Sequence, residues 1–405
     1  MGESLYSWLT VGRSSHPIDF FLMVDCSRGG TGVSGAVDLL SGGRVLVCRI
    51  RSEDVEDLAS GATVLGAGGG GDTWVTGAML FEAIGRFGSI ELIGPTQIGR
   101  DELVLTIGMV GAPAAILEQF PGPAEVERAI RALERILGQP CSAIMPLEVG
   151  GTNALFPLAA SAWLGIPCVD ADAMRRAFPH VDMTLLALEG IGAGPAAFTG
   201  CPGTDVVVRA PTNQGIEVMA RACIREMGLV AVMAAYPMTG TQCREASAHG
   251  SVTYCLELGR KLAAAAPDHP HALDDFLTFV HGRSLFEGVV VHVNRPVAGV
   301  PGSRGTVVLE HLANPDRLLR VEFQTENIVA LEEGRAVVTT PDLIVALHLE
   351  TNQPISTEAI SPGHRARIIG IPAHPRWTTA DGISLAGPRS YGYDLDYTSF
   401  EQTRE

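Results

Sequence analysis

The sequence predicts an α/β domain followed by a β-rich α+β domain, and three observations carry the prediction. Short apolar strand-like runs alternate with helical periodicity from Ser52 to about residue 210, short β-branched runs separated by turn residues fill the chain beyond Val289, and a polar stretch lies between. At 405 residues the chain is too long for one core of ordinary size. With 46% apolar and 18% charged residues it can bury sizeable cores and carries too little charge for disorder.

Residues 1–45 read as an N-terminal extension, a hairpin packed on the main body, whose apolar run Phe20–Val24 is too short for a signal segment or a membrane span. From Ser52 the pattern predicts a helix over Glu53–Leu58, a strand over Ala62–Leu65, a glycine loop, and a helix near Trp74–Phe87. Strands Ile90–Ile93 and Leu103–Val110 precede a helix behind Pro123, where Val126, Ile130, Leu133 and Leu137 recur at helical spacing. A strand Ala143–Leu147, a helix Asn153–Leu164 and a strand Cys168–Asp170 extend the series. Arg209–Gly215 is the predicted linker, which sets the domains at 1–45, 46–210 and 211–405. Beyond it, helices over Ile216–Met227 and Val252–Ala265 lead to seven predicted strands between Val289 and Ile371.

A formal charge of −16, from 29 basic and 45 acidic residues, with the basic ones scattered, excludes nucleic acid and anionic membranes as expected partners. The 8 cysteines show neither C-x-x-C pairs nor zinc-finger spacing, which suits buried thiols in a reducing cytoplasm.

Two segments concentrate candidate chemistry. Gly66-Ala67-Gly68-Gly69-Gly70-Gly71-Asp72 formally matches G-x-G-x-x-G, with Glu91 downstream. In a dinucleotide fold the ribose-binding acid closes the second strand, whereas Glu91 opens its strand, so no NAD or nucleotide is expected. The loop reads instead as a close approach to a small polar or anionic ligand, with the amides of Gly68, Gly69, Gly70 and Gly71 as donors. The competing reading is a tight turn with Asp72 as a helix cap.

The second segment places Glu148 at a strand end, Gly150-Gly151 in the turn and Asn153 at the next helix start. Asp170 and Asp172 end another strand, with Arg176 just beyond. Carboxylates at neighbouring strand ends can hold a divalent metal ion or perturb one another until one becomes a general base. Asp72, Glu148, Asp170 and Asp172 are therefore the candidate catalytic residues, Glu148, Asp170 and Asp172 the candidate metal ligands, and Asn153 and Arg176 candidate substrate contacts. Against this, Asp-x-Asp before a helix is often simple capping, with an arginine as surface partner. Gln324-Thr325-Glu326-Asn327 interrupts one apolar β run and Pro341-Asp342 precedes another; each can face the first domain's site, and each is equally explained as a tight turn.

The stretches LGAGGGGD, GMVGAPAAILE, PLEVGGTNALFPL, GIPCVDADAMRRAFP, VEFQTENIVAL, TTPDLI and WTTADGISLAGPRSYGYD, in that order, resemble the S-methyl-thiohydantoin desulfurase family from about Ser52 to Asp396. The resemblance implies hydrolytic removal of sulfur from a five-membered thiohydantoin ring, or related work on cyclic amides, by water attack at C2. A ligand-binding or accessory subunit of a hydantoinase/oxoprolinase-type complex is the alternative, and a homo-oligomer is expected. Family members tend to carry Gly where Arg175 stands, Glu where His180 stands and Pro where Thr73 stands. In the extension, Asp25–Thr31 is similar to the phosphate loop of actin-like ATPases, although so short a piece cannot bind a nucleotide alone.

Overall fold

A computed structural model describes residues 48–201, 203–265, 272–295 and 303–401, so the extension with its Asp25–Thr31 lies outside the described residues. Ten strands come from the first part of the chain: β1 (Cys48–Ile50), β2 (Ile90–Ile93), β3 (Leu103–Gly111), β4 (Cys141–Pro146), β5 (Cys168–Val169), β6 (Ala171–Asp172), β7 (Ala196–Gly200), β8 (Thr204–Val208), β9 (Val230–Thr239) and β10 (Ala248–His249). All but β6 and β10 form one sheet of order β1-β2-β5-β4-β3-β9-β7-β8, while β6 and β10 pair with each other. Its centre, β2-β5-β4-β3, is parallel and both its edges are antiparallel.

Strand β3 reads as a continuous apolar run because both its faces are covered. Leu103, Leu105, Ile107 and Met109 join the core of helix Pro123–Leu137, and Val104 points into the opposite core. The run Val230–Ala235 has the same character, and it pairs antiparallel with β3 as part of β9. The chain beyond residue 211 thus completes the first sheet before the second begins, and Arg209–Thr212 is only a short connection into a helix that Thr212 caps.

The predicted strand Ala62–Leu65 is instead the last turn of helix Val55–Leu65. Leu58, Ala62 and Leu65 are all buried and recur at helical spacing, so one apolar stripe explains the whole segment. The glycine loop therefore joins two helices. The first of them packs against helix Ser251–Ala264 through Gly61 and Gly259: a Cβ on Gly61 would lie 1.9 Å from the Cys255 carbonyl oxygen.

Eight further strands make the second sheet: β11 (Arg283–Asn294), β12 (Gly305–His311), β13 (Leu318–Phe323), β14 (Asn327–Glu332), β15 (Arg335–Thr339), β16 (Leu343–His348), β17 (Pro354–Ile355) and β18 (Arg365–Ile371). They are ordered β15-β14-β13-β12-β11-β18-β16-β17, and every pairing is antiparallel. The sheet curls, since Val307, Val321, Ala346 and Ile368 from both of its halves share one core. Leu343, Val345 and Ile369 pack instead on the helices Val55–Leu65, Thr152–Leu164 and Ser251–Ala264, which also cover Ile90 and Leu92 of β2. A helical layer thus separates the two sheets, and the turns of the second sheet reach the strand ends of the first. Among the described residues no helix is long and apolar enough to cross a membrane.

Candidate functional site

Glu148 follows β4 and is buried, at 6% exposure. Asn153, in the first turn of helix Thr152–Leu164, donates from Nδ2 to Glu148 Oε1 at 2.7 Å, and the Phe178 N–H donates to Oε2 at 3.2 Å. Asn153 is itself fixed by the main chain of β3, accepting from Met109 N at 2.7 Å and donating to Met109 O at 3.0 Å. The predicted substrate contact is therefore a positioning amide whose hydrogen bonds are already made. Burial pushes the Glu148 carboxyl up to about 8, with the charges of Glu326 and Asp172 reinforcing the rise and the bonds from Asn153 and Phe178 opposing it. The group changes charge in the neutral to mildly alkaline range, where a general acid or base is effective.

The other predicted acids are otherwise engaged. Asp170 accepts from Val252 N at 2.9 Å, Thr253 N at 3.0 Å and Thr253 Oγ1 at 2.5 Å, so it caps helix Ser251–Ala264 from a distance in sequence. Fully buried Asp172 accepts from Val149 N, Met174 N, Arg175 N and Ser251 Oγ at 2.6–3.2 Å and ties the turn after β4 to the turn after β6. Asp72 is exposed and accepts from Trp74 N at 2.8 Å as the cap of helix Thr73–Phe87, which is the competing reading of that residue. The Asp170 and Asp172 carboxylates are thus engaged by protein donors. Among the described residues no group of three or more His, Cys, Asp or Glu comes together to hold a metal ion.

Arg176 is 1% exposed and does not reach outward as a clamp for a substrate carboxylate. It donates to the carbonyls of Ala177 at 3.0 Å, Pro341 at 2.5 Å and Asp342 at 3.1 Å, and its guanidinium stacks on Phe178, 4.6 Å from the ring centre. Burial draws its pKa down, and Tyr391, Glu326, Asp342 and Glu148 hold it up. It is the interior cation that several carboxyl groups share.

Those groups include two that the sequence left open between site and turn. Glu326 is 3% exposed; burial raises its pKa, against the Thr325 hydroxyl, Arg176 and His180. Thr325 Oγ1 donates to its Oε2 at 2.6 Å. Asp342, also buried and raised chiefly by burial, accepts from Ala373 N at 3.0 Å and Tyr397 Oη at 3.0 Å. The only sequence signal for either was a polar turn breaking an apolar β run. Trp377, which sequence reasoning missed, closes the floor: its Nε1 donates to Met174 O at 2.8 Å and its ring meets Phe178 edge-on at 4.7 Å.

The glycine loop is the wall between these groups. Its carbonyls are tied down, Ala67 O by Asn327 N at 2.9 Å, Gly68 O by Thr357 N at 2.8 Å and Gly70 O by Thr152 N at 2.8 Å. Gly68, Gly70 and Gly71 have φ of +93°, +79° and +80°, a region that disfavours side chains, and a Cβ on Gly70 would lie 2.9 Å from the Gly150 carbonyl. Gly69 N–H turns inward to Gly66 O, whereas among the described residues the N–H groups of Gly70 and Gly71 meet no main-chain acceptor. Arg175 also has a left-handed backbone, φ +63°, which a glycine would adopt without strain. Its guanidinium lies 4.1 Å from the Tyr254 ring centre and donates to His249 O and Ser251 Oγ, contacts that offset the strain.

Comparison with known proteins agrees with this architecture. Residues 53–210 match the S-Me-THD-like N-terminal domain and residues 211–400 the S-Me-THD-like C-terminal domain. A protein from Chromobacterium violaceum, known from an X-ray crystal structure, is similar at 24% identity and a TM-score of 0.71 over 87% of this chain and 100% of that one, a likeness that shows the fold alone. No curated protein matches the chain. With both family domains matched in order over nearly all of its described length, the chain belongs to the S-Me-THD-like family, that of the S-methyl-thiohydantoin desulfurases.

Proposed function

We propose that this protein hydrolyses the C2–S bond of a thiohydantoin-like ring, or a bond of a related cyclic amide, with Glu148 as the general base. The observation that carries the proposal is a buried carboxyl, pushed up to about 8, beside a glycine loop with two open N–H groups. Ionised Glu148 takes a proton from water as the water oxygen bonds to C2. The negative charge that develops on the ring is met by the Gly70 and Gly71 amides. The C2–S bond then breaks, a thiol leaves, and the ring is left with oxygen at C2. Asn153 and the Phe178 amide hold Glu148 in place for this work, and the family membership supports the ring class.

The test is release of thiol and hydantoin from an S-methyl-thiohydantoin by the purified full-length protein. Turnover should rise with pH through about 8, as Glu148 ionises. Glu148→Gln should lower kcat by about 10²–10⁴-fold. Turnover by that variant at the wild-type rate overturns the proposal, as does binding of the ring without any turnover, which is the behaviour of a binding or accessory subunit.

A further inference from the structure

Glu148 is not the only titratable carboxyl at the glycine loop. On one side of the loop Gly70 presses on Gly150 and Gly151, the turn that follows Glu148. On the other side Gly69 presses on Glu326, and a Cβ there would lie 2.6 Å from Glu326 Oε1. The absence of a side chain at 69 is what gives this carboxyl its position. The turn after Glu148 and the Glu326 carboxyl come from the two family domains and flank one strip of backbone, in which the N–H groups of 70 and 71 meet no main-chain acceptor among the described residues.

We infer that Glu326 is the general acid that protonates the departing sulfur while Glu148 deprotonates the attacking water. This rests on the proposed function and adds to it the partner that completes the proton cycle. Among the described residues Arg176 is the fully buried cation that Glu148, Glu326 and Asp342 share, and burial biases all three toward the protonated form. One positive charge does not balance three carboxylates in a low-dielectric interior, which favours holding protons within the cluster. A pair in which one carboxyl is ionised and its neighbour protonated is ready for base and acid roles at once.

The water oxygen bonds to C2 as one water proton passes to the Glu148 carboxylate and electrons move to the ring nitrogen. Those electrons return to C2, the C2–S bond breaks, and sulfur takes the proton of Glu326 and leaves as a thiol. The C2–OH product tautomerises to C2=O with N–H, and the proton on Glu148 returns to Glu326.

The experiment compares Glu326→Gln, Gly69→Ala and Glu148→Gln on an S-methyl-thiohydantoin and on an S-aryl one, whose thiolate leaves without needing a proton. Gly69→Ala supplements Glu326→Gln because Gly69 has no left-handed φ, and a Cβ there presses on the Glu326 side chain from Cγ to Oε1 and displaces its carboxyl. We expect both variants to lose about 10²-fold in kcat on the S-methyl substrate, to recover most of it on the S-aryl substrate, and to lose the alkaline limb of the pH profile. Glu148→Gln should stay slow on both. Equal losses on the two substrates, or a wild-type rate and profile in Glu326→Gln while Glu148→Gln is inactive, overturn this inference alone. Wild-type turnover by Glu148→Gln overturns the proposed function beneath it.

Discussion

Glu148 and the Asp170–Asp172 pair are acids at neighbouring strand ends, but donor supply separates them. Asp172 receives four hydrogen bonds, three of them from main-chain N–H groups, and Asp170 receives three. Glu148 is also buried, yet receives only two, from Asn153 and Phe178, and the charge of Glu326 opposes its own. A carboxylate held by many donors is a structural tie, even where burial raises its pKa as it does for Asp172; one left with few donors keeps room for a reacting group. The glycine loop sits beside the second kind.

The largest expected break in this comparison is at Glu148 itself. Glu148→Gln should abolish most turnover and should also change the pH dependence of stability. A carboxyl whose pKa rises from 4.5 unfolded to about 8 folded stabilises the fold fully below 4.5, and that contribution is lost as pH rises through about 8. Glutamine does not titrate, so denaturant unfolding of the variant should lose this decline. Persistence of the same decline would assign it to other groups.

Next in size is Asp172→Ala, which strands the N–H groups of Val149, Met174 and Arg175. It should cost about 3 kcal/mol of stability or more, read as a lower unfolding midpoint, while the folded fraction keeps its pH profile. A shifted profile with unchanged stability would move Asp172 into the chemistry. Asp170→Ala removes a helix cap and should cost about 1–2 kcal/mol; Asp72→Ala, an exposed cap, should cost about 0.5–1 kcal/mol.

Much of this was legible in the sequence, for definite reasons. The strands from Leu318 to Ile371 were readable because β-branched runs lay between turn residues, and helix Pro123–Leu137 because Val126, Ile130 and Leu133 keep helical spacing behind a proline. The run Ala62–Leu65 was too short for periodicity to tell strand from helix end, and only its partners Cys255 and Gly259 decide it. The strand Val230–Thr239 and its place beside β3 went unread because local sequence carries no information about which sheet a buried run joins. In the site, the positions of Glu148 and the glycines followed from strand-end and close-approach arguments. The engagement of Asp170 by Val252 and Thr253, 82 and 83 residues away, could not. Nor could the burial of Arg176 against carbonyls 165 and 166 residues away, or the arrival of Glu326 at Gly69.

Glu148 is placed to titrate where a neutral-pH enzyme needs a base. Residue-resolved carboxyl titration, by ¹³C NMR of labelled protein with Glu148→Gln as the assignment control, reads this directly. A midpoint near 8 is expected for Glu148. A midpoint in the ordinary range of an exposed glutamate, about 4.3, would contradict it.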